Sequence, residues 1–363
     1  MTRSDTGAEP VAVKADDTAP LTILRQGCAI PAHPLALDDN GGLDPVHQRA
    51  LTRYYLDSGV RGLAVGVHST EFAIRGAGLL HPVLELAADT VADWSRHSTV
   101  LIAGACGPTR QAVAEAELAA RLGYHAVLLS PNGLDDVDEQ ALLDRTRAVA
   151  DVLPVVGFYL QPSAGGRYLS PEFWTRTALI PQVLAIKVAP FDRYQTLDVA
   201  RGIHQAGRAD DLALYTGNDD NIVVDLLTSF DFGAGLDRRR VDIRGGLLGQ
   251  WGVWTARAVE LLDLARRAKA GESDRYPDLL ALSGRMTDAN SAIFDARNGF
   301  RGCIPGIKQV LKDQGLIAST RCLDPREVLS PGQHAEIDRV RRDHPQLADD
   351  VFVSENLDRW LTS

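Results

Sequence analysis

Lysine is nearly missing from this chain of 363 residues: only Lys14, Lys187, Lys269, Lys308 and Lys312 occur, against 33 arginines. The net charge is −10 and no Lys/Arg block is present, which argues against a nucleic-acid surface. Cys28, Cys106, Cys303 and Cys322 show no CxxC or Cys/His metal spacing, so no metal centre is expected. Scattered in this way, they read as reduced thiols of a cytosolic, cytoplasmic protein. No apolar stretch approaches a membrane span, and no glycine-rich dinucleotide fingerprint appears. The first twenty residues are polar and lack the apolar core of a secretory signal, so residues 1–21 are expected to form a disordered arm.

Apolar residues make up 45% and charged residues 24%, as in ordinary soluble proteins, and the length suits one large domain with an appendage. Short apolar runs recur at Thr22–Cys28, Gly62–Val67, Val100–Gly104, Ala126–Ser130, Val155–Leu160, Leu184–Val188, Leu212–Thr216 and Gly245–Gly249. Between them lie segments with apolar residues at three- and four-residue spacing, such as Thr109–Leu122 and Asp138–Val152. Strand then helix, eight times over, predicts an α/β fold, a (β/α)8 TIM barrel, over residues 22–272. Trp251–Ala270 reads as the closing helix. Residues 273–363 lack strand patterning and read as a C-terminal helical appendage broken at prolines.

One of the rare lysines, Lys187, sits inside the apolar run Val183–Ala189. Lysine is rarely buried unpaired, and arginine cannot replace it where the amine must lose its proton. Amine chemistry on a carbonyl is the natural use of such a residue. A lysine at a strand end, reaching solvent or an ion pair, is the other reading, and the run alone leaves both open.

A barrel places its active site at the C-terminal ends of its strands. The polar residues there are His68-Ser69-Thr70-Glu71, Asn132, Tyr159, Lys187 and Gly217-Asn218-Asp219. Tyr159 and Lys187 stand on adjacent strands at similar heights, which would set a phenol beside an amine; Tyr159 also reads as an aromatic cap on the core.

Taken together, Leu101–Gly107, Tyr159-Leu160-Gln161-Pro162-Ser163, Leu184-Ala185-Ile186-Lys187 and Thr216-Gly217-Asn218-Asp219-Asp220 carry a resemblance. From about residue 26 to 318 the chain resembles the dihydrodipicolinate synthase/N-acetylneuraminate lyase superfamily, including its 28-residue spacing from tyrosine to lysine. The resemblance implies that Lys187 forms a Schiff base with a 2-oxo acid and that Tyr159 shuttles the proton. It implies further that His68, Ser69, Thr70, Gly165, Gly217 and Asn218 surround the substrate. No cofactor beyond the covalent lysine imine is implied, and a homo-oligomer, tetramer or dimer, is.

The departures from the family pattern bear on substrate. Val67-His68-Ser69-Thr70-Glu71 stands where relatives carry Gly-Thr-Thr-Gly-Glu, so His68 replaces a hydroxyl residue; it reads as a carboxylate-binding cation, an acid/base, or a spacer. Asn132 and Gly133 replace the synthases' tyrosine pair. Ala164 falls at their arginine and Arg167 lies three residues late, which argues against condensation with aspartate semialdehyde. Gly217–Asp220 also reads as a helix N-cap, and Trp251 and Trp254 as helix packing or an aromatic substrate wall. The expected activity is aldol cleavage or condensation of a pyruvate-type 2-oxo acid. Its alternatives are a dehydratase of a sugar-derived 2-oxo acid, a hydratase-aldolase, and a non-catalytic ligand-binding relative.

Overall fold

The computed structural model describes residues 18–235 and 238–362. Eight parallel strands form a nearly closed barrel: β1 (Ala29–Pro31), β2 (Gly62–Val65), β3 (Val100–Ala105), β4 (Ala126–Leu129), β5 (Val155–Leu160), β6 (Val183–Ala189), β7 (Ala213–Thr216) and β9 (Arg239–Leu248). Neighbours pair in parallel from β2 through β7 to β9 and β1, and a parallel bridge between Ala32 and Ala64 draws the ends together. The central strands are near-continuous apolar runs because they are buried on both faces.

Helices alternate with the strands: α2 (Pro45–Asp57), α3 (Leu80–Trp94), α4 (Thr109–Arg121), α5 (Glu139–Ala150), α6 (Pro171–Ala178), α7 (Arg193–Gln205), α8 (Ile222–Leu227) and α9 (Thr255–Lys269). Several start at side-chain caps legible in the chain: Asp138 accepts from the Ala141 amide at 2.7 Å, Ser170 from Phe173 at 3.1 Å, and Asp192 from Gln195 at 2.9 Å.

Two expectations at the barrel's edges are corrected. The first apolar run is not a strand: Thr18–Gln26 is a helix, α1, and the strand is Ala29–Pro31. Leu24 of α1 sits in the barrel's inner core and its carbonyl accepts from the Tyr215 hydroxyl at 2.7 Å, so α1 plugs the N-terminal end. Of the arm expected over residues 1–21, residues 1–17 lie outside the described residues, and 18–21 belong to α1. The run before β9 also holds an unexpected antiparallel strand, β8 (Ser229–Phe232), paired with the start of β9.

Beyond α9 come α10 (Tyr276–Ile293), α11 (Cys303–Asp313), α12 (Gln333–Asp343) and α13 (Asp350–Trp360). This extension docks on the chain's own barrel. Trp360 is fully buried, stacks edge-on to Tyr54 of α2 at 5.4 Å, and donates to Asp57 at 2.6 Å. Asp349 accepts from the Tyr54 hydroxyl at 2.8 Å and from the Ala256 amide at 3.1 Å, tying α13 to α2 and α9. Among the described residues, no helix is long and apolar enough to cross a membrane.

Truncating this anchor tests its weight. Trp360→Ala should cost about 3 to 5 kcal/mol, seen as a lower urea midpoint; an unchanged midpoint would show that α13 contributes nothing to the barrel.

Candidate active site

A cavity opens at the C-terminal mouth of the barrel, and Lys187 lines it. Side chains alternate along a strand, so Ala185, Lys187 and Ala189 of β6 face inward while Ile186 and Val188 face the helices. In register on β5, Val156, Phe158 and Leu160 also face inward. The Lys187 Nζ lies 4.3 Å from the centre of the Phe158 ring.

That alternation removes Tyr159 from the site. It sits one residue out of phase with Lys187, faces the helix layer, and packs on Trp174 of α6 at 4.9 Å between ring centres. Its hydroxyl donates to the Leu169 carbonyl at 3.4 Å and accepts from the Leu169 amide at 3.3 Å. The expected phenol partner of Lys187 is thus corrected: position 158, a phenylalanine, occupies the inward place. Tyr215, in register with Lys187 on β7, sends its hydroxyl to Leu24 at the other end of the barrel.

Asp219 stands in the cavity wall instead. After β7 the inward parity continues through Gly217 and Asp219, both of which line the cavity. A Cβ on Gly217 would lie 2.4 Å from Lys187 Cε, so glycine there makes room for the lysine. Asp219 Oδ1 accepts from the Gln250 amide at 3.2 Å, and its carbonyl accepts from Asn290 of α10 at 2.6 Å. Burial pulls the Lys187 ammonium below the ordinary lysine range, with Asp219 opposing; burial pushes the Asp219 carboxyl up, with Lys187 opposing. Burial thus draws the proton affinities of the two groups toward each other across the cavity.

Asn218 is corrected. It faces outward, where its Oδ1 accepts from the Phe191 amide at 3.0 Å and its Nδ2 donates to Asp225 at 3.0 Å. It neither touches the cavity nor caps α8, whose cap position is Asn221.

The turn after β2 is divided. His68 and Ser69 line the cavity, but Thr70 is wholly buried beneath it. The Thr70 hydroxyl donates to the His33 carbonyl at 2.6 Å and accepts from the Gly66 amide at 3.0 Å, so it holds the turn and is corrected as a substrate contact. Ser69 donates its hydroxyl proton to the Ala32 carbonyl at 2.8 Å, leaving it none for an anion. Burial, then the facing Lys187, pulls His68 down to about 4, so near neutrality it is an N–H donor and not the cation that would grip a carboxylate. Glu71 holds the fully buried Lys308 ammonium at 2.6 Å and the Leu323 amide at 2.6 Å, which fastens the turn to the C-terminal extension.

The remaining wall combines near and distant segments. Gly165 is corrected: left-handed at φ 84°, it lies against the Asn132 side chain, whereas Gln161, Ser163 and Ala164 line the cavity. Arg167 is spent on the backbone carbonyls of Leu134, Asp135 and Val137. Trp251 and Trp254 are packed in the barrel–helix layer. Phe158, Phe191, Phe294, Phe300, Cys303 and Ile307, none of them expected from the sequence, also line the cavity. Strand parity signalled Phe158; the contributions from α10 and α11 carry no local signal.

The sequence profile described as the Dihydrodipicolinate synthetase family matches residues 27–232. N-acetylneuraminate lyase 2 of Escherichia coli O6:H1 is 24% identical over 336 residues, covering 92% of this chain and 96% of that protein. A probable 5-dehydro-4-deoxyglucarate dehydratase of Acinetobacter baumannii is 42% identical over 62 residues, 17% of this chain and 20% of that protein. A crystal structure of dihydrodipicolinate synthase from Bacillus anthracis superposes with a TM-score of 0.72 at 20% identity, covering 88% of this chain and 98% of that one. The Acinetobacter baumannii synthase complexed with pyruvate superposes at 0.71 and 20% identity, covering 87% and 98%.

The orientation of Tyr159 makes a sharp expectation. Tyr159→Phe should leave activity within about threefold, since losing a general acid/base usually costs roughly 100-fold or more. A loss of that larger size in steady-state kinetics would show that the phenol reaches the substrate.

Proposed function

The chain belongs to the dihydrodipicolinate synthetase family, a family of lyases and synthases, and from that premise we infer that it is a class I lyase in which Lys187 forms an imine with a 2-oxo acid. The observation that carries this reading is the buried Lys187 amine facing Asp219 inside the cavity.

Neutral Lys187 adds to the keto carbon, and loss of water gives the imine. Protonated, the imine draws electrons from the bond between the two carbons beyond it. In the cleavage direction the Asp219 carboxylate takes the proton of the substrate's hydroxyl. The carbon–carbon bond breaks, an aldehyde leaves, and its electron pair remains in the enamine. Asp219 returns the proton to the enamine carbon, and water hydrolyses the imine to release pyruvate. Condensation is the reverse. The substrate carboxylate lies against the turn at His68, where the neutral imidazole supplies a hydrogen-bond donor. The covalent imine is the only cofactor this route uses.

Dehydration of a sugar-derived 2-oxo acid is the second reading. It has the short dehydratase match in its favour and the apolar surface of Phe191, Phe294, Phe300 and Ile307 in the cavity wall against it. A non-catalytic binding role leaves the Lys187–Asp219 pair without a use.

Incubation with pyruvate and borohydride should fix a reduced adduct on Lys187, located by mass spectrometry, and Lys187→Arg should abolish it. No adduct with any of several 2-oxo acids would sink the reading. Asp219→Asn separates capture from proton transfer. The Asp219 charge raises the Lys187 pKa, so its removal lets that pKa fall further, and imine capture should persist to lower pH. Turnover should nevertheless drop by about 100-fold or more. An unshifted capture profile, or retained turnover, would remove Asp219 from the mechanism.

Assembly as a homo-oligomer, dimer or tetramer, belongs to the same reading. A sedimentation mass near the single-chain 39.3 kDa would refute it.

A further inference from the structure

Resting on the imine reading above, we propose that the cavity holding Lys187 carries a built subsite for an apolar, aryl-bearing aldehyde. The cleaved substrate is then a 4-hydroxy-2-oxo acid with an aromatic group on its hydroxyl-bearing carbon.

The lining supports an apolar occupant. Leu160, Ala164 and Ala189 come from the barrel, and Phe191, Phe294, Phe300 and Ile307 add aromatic and aliphatic surface. Among the described residues that line the cavity, Lys187 is the sole lysine and no arginine occurs. Arg167 is held by backbone carbonyls outside it. A second carboxylate would find no cationic partner; a polyhydroxylated chain would have the side chains of Gln161 and Ser163 to bond, and any further hydroxyls would be buried against carbon, which is costly.

Backbone strain points to the same place. Phe191 and Phe300 both hold left-handed conformations, at φ 54° and 64°, where bulky side chains are rarely found. They come from segments more than a hundred residues apart yet meet edge to face, with ring centres 5.7 Å apart at 76°. Strain of this kind persists only where the surroundings enforce it, and it collects at ligand clamps. The surroundings enforce it here. The Phe191 amide is held by Asn218 at 3.0 Å. The loop carrying Phe300 is tied by Asp295, which accepts from the Gly302 amide at 3.1 Å and from Ser330 at 2.5 Å. From α12, Gln333 donates to the carbonyls of Ile293 at 3.1 Å and Gly302 at 2.9 Å, bracing both ends of that loop. The C-terminal extension therefore stiffens one wall of the subsite.

In the condensing direction the enamine carbon of the Lys187–pyruvate adduct attacks the aldehyde carbon. The new carbon–carbon bond forms, the aldehyde oxygen takes the proton from Asp219, and water releases the 4-hydroxy-2-oxo acid. Nothing is oxidised or reduced.

The test uses the purified full chain with pyruvate and three aldehydes of different chemistry: benzaldehyde, glyceraldehyde and glyoxylate. Product is read by mass as the hydroxy acid or its dehydrated enone. The expected kcat/KM for benzaldehyde exceeds that for either other aldehyde by roughly tenfold or more. Phe300→Ala should cut the benzaldehyde-to-glyceraldehyde ratio by about tenfold, whereas Phe300→Leu, which keeps apolar bulk, should preserve most of it. The ratio is independent of how much of either variant folds. A borohydride-trapped pyruvate adduct together with a preference for glyceraldehyde or glyoxylate, or with no benzaldehyde product, overturns the aryl subsite and leaves the imine reading standing. Absence of the trapped adduct in the unaltered chain overturns both.

Discussion

An ammonium removed from water needs either a counter-charge or a way to lose its proton, and the mouth of this barrel is organised around how Lys187 meets that requirement. Burial favours the neutral amine, while Asp219 across the cavity favours the charged one. The carboxyl is subject to the same opposition in reverse. The arrangement depends on Gly217, because a methyl group there would collide with the lysine stem. It also depends on Gln250 and Asn290, which fix the Asp219 side chain and backbone from two different elements. An amine and a carboxyl whose proton affinities are drawn together in one cavity suit a reaction that needs a free amine at one step and an acid at the next.

Much of the architecture could be read directly from the chain. Parallel strands buried on both faces leave unmistakable apolar runs, and β5 follows its predicted bounds, Val155–Leu160. The edges were less legible for physical reasons. Leu21, Ile23 and Leu24 are as apolar as a strand requires, yet they plug the barrel floor as a helix, since only tertiary packing distinguishes the two uses of a short apolar run. The hairpin strand β8 is half exposed and weakly patterned, so its pairing with β9 left no signal to read.

At the site, Lys187 was legible because a lone lysine in an apolar strand conflicts with its surroundings. Tyr159 was misplaced for an instructive reason: spacing along the chain gives height on the barrel but not facing, and a shift of one residue turns a side chain to the opposite face. The parity was present in the sequence, for Ala185, Lys187 and Ala189 alternate with Ile186 and Val188. The same rule sorts the segment after β7, sending Asn218 outward to Asp225 and Asp219 into the cavity. Thr70 illustrates a different limit. A hydroxyl beside the substrate turn and a hydroxyl that holds the turn from beneath have the same sequence, and only its bonds to His33 and Gly66 tell them apart.

The C-terminal extension gives the barrel a feature that strand-end loops alone do not supply. Loops at a barrel mouth are free to vary because the packed strands beneath them carry the stability. Such loops are also mobile unless something braces them. Here the bracing comes from outside the barrel: Lys308 of α11 pairs with Glu71 under the β2 turn, and Gln333 of α12 locks the loop that presents Phe300. Left-handed conformations at Phe191 and Phe300 cost on the order of 1 to 3 kcal/mol each, and the edge-to-face ring pair offsets about 0.5 to 1.5 kcal/mol of that. The balance must be met by the hydrogen bonds of Asn218, Asp295 and Gln333. The helices beyond the barrel thus do two things: α13 docks through Trp360 and Asp349, and α11 and α12 brace the β2 turn and the loop that carries the strained Phe300.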